Sequence, residues 1–68
     1  MKKIFSERLK DLRNEKRVGQ VELANAIQVS KGIISLWENG QREPKLSNLI
    51  ALSKYFQVSI DYLAGLEE

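Results

Sequence analysis

Apolar residues along this chain fall at helical spacing. Phe5, Leu9 and Leu12 stand at i, i+4 and i+7 and predict an amphipathic helix over about residues 5 to 16, with Arg8, Lys10, Asp11 and Glu15 on its polar sides. Val18-Gly19 breaks that helix. Val21, Leu23, Ala24 and Ile27 predict a second helix of about two turns, beginning at Gln20. A third begins after Ser30, a favourable N-cap, buries Ile34 and Trp37, and stops at Asn39-Gly40. Gln41 to Pro44 read as a polar loop. Leu46, Leu49, Ile50, Leu52, Ser53 and Phe56 then define a fourth helix, and Ser59 caps a fifth that carries Ile60, Tyr62 and Leu63. The expected fold is all-α: five helices, short connections and no strand.

Three helix starts share one device. With Gly19, Ser30 and Ser59 as caps, the residue before the cap and the fourth helical residue are Val18/Leu23, Val29/Ile34 and Val58/Leu63. Each pair is a hydrophobic staple, which fixes the angle at which the chain enters a helix. Gln-Val-Ser occurs at 28 to 30 and again at 57 to 59, each time between a helix end and a cap. Two copies of a tripeptide are weak support for a repeat, so the recurrence reads as convergent turn chemistry.

The second and third helices, joined by a tight turn and closed by a glycine, make a helix-turn-helix, whose second helix is normally offered to the DNA major groove. Gln20, Leu23, Ala24, Val29, Ser30, Ile34, Ser35, Trp37, Glu38, Asn39, Gly40, Arg42 and Pro44 follow a pattern in register. It runs Gln-x-x-Leu-Ala, then Val-Ser, then Ile-Ser-x-Trp-Glu-Asn-Gly, with Arg and Pro shortly after. The stretch strongly resembles the Cro and lambda-type phage repressor family, also called the XRE family. The resemblance implies a compact five-helix lambda-repressor-like domain with its helix-turn-helix at helices 2 and 3.

Composition agrees with a binding module. At 68 residues the chain is expected to be one domain, 1–68, with a single small core. It has no cysteine and no histidine, which removes thiolate metal sites, disulfides and the usual near-neutral general base. No metal ligand set, catalytic group, cofactor or small-molecule ligand is implied. Glu7, Asp11 and Glu15 share a helix face, but the interleaved basic residues make it an ordinary solvated surface. No apolar run approaches the roughly 18 to 20 residues of a membrane span and no charged-then-apolar leader opens the chain, so a cytoplasmic protein is expected. Net charge is only +2, but residues 1 to 45 hold ten Lys/Arg against six Asp/Glu, giving +4, while residues 46 to 68 hold one against three, giving −2. The basic half coincides with the helix-turn-helix, where a phosphate footprint belongs.

The resemblance also assigns roles. It implies that Gln20 binds phosphate and braces the reading helix, and that Ser30 adds a phosphate contact to its capping role. Asn39, with Gly40 and Arg42, lies where the family places a second phosphate clamp. Lys31, Gly32, Ile33 and Leu36 map onto base contacts, with Ser35 among them. Lys31 can donate to guanine N7 and O6 or to a phosphate, Gly32 has no side chain, and Ile33 and Leu36 can make only apolar contacts such as with thymine methyls. Direct readout is therefore thin: either specificity leans on Lys31, Ser35, methyl contacts and DNA shape, or Ile33 and Leu36 are an exposed apolar pair that belongs to a protein contact. Arg13 and Glu38 occupy the places of a family ion pair that ties the first helix to the end of the reading helix. Gln28 and Gln57 stand where the family usually has glycine. The implied function is a DNA-binding transcriptional regulator, a repressor acting as a homodimer on a palindromic operator, with Tyr62, Leu63 and Leu66 of the C-terminal segment as the dimer surface. The competing class is a protein-interaction module of the same fold, an antitoxin-like partner or adaptor, for which Ile33 and Leu36 would be contact residues.

Overall fold

Five helices succeed one another along the chain: α1 (Lys2–Lys16), α2 (Gln20–Ile27), α3 (Lys31–Glu38), α4 (Leu46–Phe56) and α5 (Ile60–Ala64). The structure is a computed structural model and describes residues 1–67, among which there is no strand. α1 starts before Phe5, where the apolar periodicity begins. Met1 serves as its N-cap and the Met1 carbonyl accepts the Phe5 amide at 2.9 Å, so the polar Lys2 and Lys3 are drawn into the first turn.

α3 lies against α1 and α2, α4 against α2 and α5, and α5 returns to α1. This closes the bundle around Phe5, Leu9, Leu23, Ala24, Ile34, Trp37, Leu49, Leu52 and Leu63. Trp37 is the largest side chain of that core and meets Phe5 edge to face, with ring centroids 5.9 Å apart. Three residues that gave the sequence its helical periodicity, Val21, Leu46 and Ile50, face solvent instead. Each short helix has room against its neighbours for only one narrow stripe.

The members of the three staples lie in the core or packed against it. Gly19, Ser30 and Ser59 are the N-caps, as expected. Ser30 Oγ accepts the Ile33 amide at 3.2 Å and Ser59 Oγ the Tyr62 amide at 2.9 Å, each satisfying one of the amides a helix start leaves free.

One motif ends all five helices. A residue in the left-handed region (Arg17, Gln28, Gly40, Gln57 or Gly65) is followed by a residue whose amide reaches back five positions. The bonds run from Val18 to the Arg13 carbonyl, Val29 to Ala24, Gln41 to Leu36, Val58 to Ser53 and Leu66 to Asp61, at 2.8–3.1 Å. This is the Schellman arrangement, which satisfies the last carbonyls of a helix. Gln28 and Gln57, which stand where the family usually has glycine, take the left-handed backbone that glycine favours. Arg17 adds a third non-glycine case, and Gly19, which the sequence offered as the breaker, is extended at φ −81°.

A side chain at positive φ costs about 1 kcal/mol, so Gln28→Gly and Gln57→Gly should each raise stability by up to about that amount. The gain is partly offset by the freedom glycine adds to the unfolded chain. Thermal melts of the single variants check this, and a clear loss at both positions contradicts it.

The C-terminal segment is fastened to α1 by Arg8. Its guanidinium lies 4.3 Å from the centre of the Tyr62 ring and donates to the main-chain carbonyls of Tyr62 and Glu67. That is a cation–π contact combined with charge-assisted hydrogen bonds.

Candidate nucleic-acid interface

α3 is held from within. Ile34 and Trp37 anchor it in the core, and at its C-terminal end the Glu38 carboxylate is 4 % exposed. A buried carboxylate needs partners, and three side-chain donors supply them. Arg13 gives Nε to Oε2 at 2.6 Å and Nη2 to Oε1 at 3.1 Å, a bidentate grip, while Gln20 Nε2 donates to Oε1 at 2.9 Å. Arg13 Nη1 also donates to the Val18 carbonyl at 3.0 Å and so fixes the turn into α2. Hydrogen bonding to Glu38 raises the Arg13 pKa above its ordinary value; partial burial opposes this and the nearby negative charge adds to it. α1, α2 and α3 thus converge on one carboxylate, and the orientation of α3 is set by charge and geometry as well as by packing. The pair expected of Arg13 and Glu38 is present, and Gln20 braces α3 through Glu38.

The opposite side of α3 is open. Lys31, Gly32 and Asn39 are exposed, and Ser35 and Leu36 are half-buried. Gly32, Ser35, Leu36 and Asn39 follow one another at the spacing of a single helix face. Asn39 Nδ2 lies at 3.5 Å from Ser35 Oγ, too long to tie up either group firmly. Ile33 departs from the expectation of an exposed apolar pair: it is half-buried and packed on the core, and Leu36 is likewise half-buried.

A cleft of roughly 540 Å³ runs beside α3. Val29, Ile33 and Trp37 supply its apolar part, and Arg42, Glu43, Lys45, Ser47 and Asn48 supply its polar part. The structure therefore brings Arg42 to the flank of α3 together with Lys45, Ser47 and Asn48, which sequence reasoning did not single out. Their signal was present, since Lys45 follows Pro44 directly at the start of α4. Gln20 opens α2 and Ser30 caps α3, so every residue assigned a DNA contact belongs to these two helices, the turn between them or the loop after them.

The proposed dimer surface needs correction. Leu63 has no exposed surface, because α5 docks through it, and Tyr62 is half-buried under Arg8. Leu66 alone of the three is exposed, and Ile4 is exposed beside Gly65.

Residues 9–63 match a family described as helix-turn-helix. The chain belongs to the helix-turn-helix family. It is 42% identical over 64 residues to the HTH-type transcriptional activator BcrR of Enterococcus faecalis, covering 94% of this chain and 31% of that protein. It is 40% identical over 60 residues to Repressor protein C2 of Salmonella phage P22, covering 88% of this chain and 28% of that one. The chain thus spans about a third or less of the length of these two relatives. Its backbone is similar to the crystal structure of the P22 c2 repressor protein in complex with synthetic operator 9T, at a TM-score of 0.89 and 38% identity, covering 94% of this chain and 97% of that one. The five-helix lambda-repressor-like fold expected from the sequence is the one observed. None of the helices among the described residues is long and apolar enough to cross a membrane.

Proposed function

We propose that this helix-turn-helix domain is a sequence-specific double-stranded DNA-binding transcriptional regulator, a binding module rather than an enzyme, that places α3 in the major groove. The carrying observation is the division of α3 into a locked inner side and an open outer one. Ile34, Trp37 and Glu38 are fixed, while Lys31, Gly32 and Asn39 are free to meet a ligand. Lys31, with Ser35, Leu36 and Ile33 beside it, reads base edges. Gln20, Ser30, Asn39 and Arg42 hold phosphates on either side, and Lys45 joins Arg42. The likeness to a repressor solved on an operator supports this orientation.

Such a module acts as a homodimer on a palindromic operator, because one α3 helix meets too few base pairs for strong selectivity and two half-sites one helical turn apart supply it. The domain measures 27 × 24 × 21 Å against a helical turn of about 34 Å, so two copies fit side by side along one face of the duplex. The dimer contact lies at the C-terminal end, through Leu66 with Ile4. Where its operator overlaps a promoter, occupancy excludes other proteins from the DNA and the regulator is a repressor. The adaptor reading is the weaker one, since Ile33 and Leu36 are half-buried and offer little apolar surface to a protein partner.

Selection of bound fragments from random duplex DNA tests the proposal. The expected result is an enriched motif with two-fold symmetry and half-sites one turn apart, bound with an affinity that falls steeply as salt rises. Enrichment of no motif, or salt-independent binding, contradicts it.

A further inference from the structure

We propose that Arg8 is a positioning residue for operator binding: it pins the segment after α5 so that Leu66 stands outward as a preformed contact for a second copy of the chain. This rests on the reading of the regulator as a homodimer joined through Leu66 and Ile4. Leu66 is 77 % exposed, more than any other large apolar side chain among the described residues, yet the backbone around it is held at several points. Its amide donates to the Asp61 carbonyl at 2.8 Å, Arg8 Nη1 donates to the Glu67 carbonyl at 2.6 Å, and Ser59 Oγ donates to Glu67 Oε1. Just before Leu66, the Ile4 side chain lies so close to Gly65 that a Cβ there would come within 3.0 Å of it.

The core does not account for all of this fastening. α5 is docked by the fully buried Leu63 and by Arg8, which lies on the Tyr62 ring and donates to the Tyr62 carbonyl. The further reach of the same guanidinium to Glu67 lies beyond the helix, where Leu66 and Glu67 both remain exposed. Ordering such a segment costs conformational entropy, and segments outside the last helix are commonly loose unless tied down. What the ties fix is the direction of Leu66. A side chain already held in its binding orientation loses less freedom on association, which is how preorganisation strengthens a contact. The occupant follows from the patch. Leu66 and Ile4 both adjoin Gly65 and are both exposed, a small apolar surface with nothing to offer a phosphate. In a two-fold dimer the same patch meets itself, and an apolar surface is its own complement.

The test separates two half-sites from one. The palindromic duplex selected by the wild-type chain, and the same duplex with one half-site scrambled, are bound by wild type, Arg8→Ala, Arg8→Lys and Leu66→Ala. Arg8→Lys keeps the charge and the apolar stem but not the fork of donors, so it carries the test where Arg8→Ala does not fold. Each folded Arg8 variant, and Leu66→Ala, should bind the palindrome about tenfold or more weakly than wild type while binding the single half-site equally well. The chain has no cysteine, so Leu66→Cys allows two copies to be joined by a disulfide at one place only. Joined in this way, the Arg8 variant should regain most of its lost affinity for the palindrome. Equal losses on both duplexes overturn the inference, because Arg8 would then act only through the fold, and so does failure of both Arg8 variants to fold. Wild-type affinity for the palindrome in a folded Arg8 variant or in Leu66→Ala overturns it as well, as does a loss that joining the copies does not relieve. If wild type selects no palindrome, or binds it no more tightly than one half-site, the homodimer reading itself fails and this inference falls with it, an outcome distinct from the others.

Discussion

Arg13→Ala should lower the stability of the domain by about 3 kcal/mol or more, because it leaves a buried carboxylate without its charged partner. For a chain of 68 residues, stabilised by roughly 0.05–0.15 kcal/mol per residue, that is a large share of the total. Glu38 would keep only the Gln20 amide. Glu38→Ala should cost less, because the Arg13 side chain is 17 % exposed against 4 % for Glu38 and can turn to water while keeping its bond to Val18. The double variant should lose less than the sum of the singles, as partners in one network do. Urea titrations of the four proteins measure this, and strict additivity would mean that the two groups contribute independently. The sign of the pH dependence is set by the raised pKa of Arg13. A basic group whose pKa is raised on folding contributes fully below its unfolded value and loses that contribution only as pH rises through the folded value. For an arginine this window lies in strong alkali, so the Arg13 contribution should be flat across the neutral and moderately alkaline range.

Local chemistry made most of the fold legible. The caps Gly19, Ser30 and Ser59, the valines before them, and the left-handed Gln28 and Gln57 depend on neighbours in sequence. A reading of the sequence therefore reached them. Arg17 escaped because Gly19, two residues on, is the more obvious breaker. Its signal was nevertheless there: Arg17-Val18-Gly19 has the same order of helix end, staple valine and cap as Gln28-Val29-Ser30 and Gln57-Val58-Ser59. Periodicity overstated burial at Val21, Leu46 and Ile50, since it marks a helix without showing how wide a stripe its neighbours can cover. It also gave no access to contacts that join distant parts of the chain. The clasp of Arg8 on Tyr62 and Glu67 is one such contact. The docking of Leu63, which buries a residue the sequence reading had left on the surface, is another. The motif assigned candidate contact positions on α2 and α3, and the structure leaves Lys31, Gly32 and Asn39 exposed. The cleft shared by Arg42, Lys45 and Asn48 depends on the path of the loop between α3 and α4, which sequence spacing does not fix.

Lys31→Ala and Gln20→Ala should both weaken duplex binding while leaving the domain folded, and they should differ in everything else. Lys31 is exposed in the first turn of α3, where a positive charge opposes the helix dipole, so its removal should not lower the melting temperature. Gln20 gives Nε2 to the buried Glu38, and losing that bond should cost about 1 kcal/mol of stability besides any effect on DNA. Binding then separates the two roles. A residue that holds phosphate should lose affinity for all sequences alike and flatten the dependence on log salt by about one unit, the result expected for Gln20→Ala only if its braced side chain also orders the neighbouring α2 amides around a phosphate. A residue that reads a base should relax preference at one operator position by about 1–3 kcal/mol, the result expected for Lys31→Ala. Duplex binding by each variant at two salt concentrations, on the selected operator and on single-position changes of it, resolves these outcomes. Unchanged affinity in both variants would remove α3 from the groove, because Lys31 stands on the side of that helix that the core and the Glu38 network leave open and Gln20 opens α2 while holding α3 through Glu38.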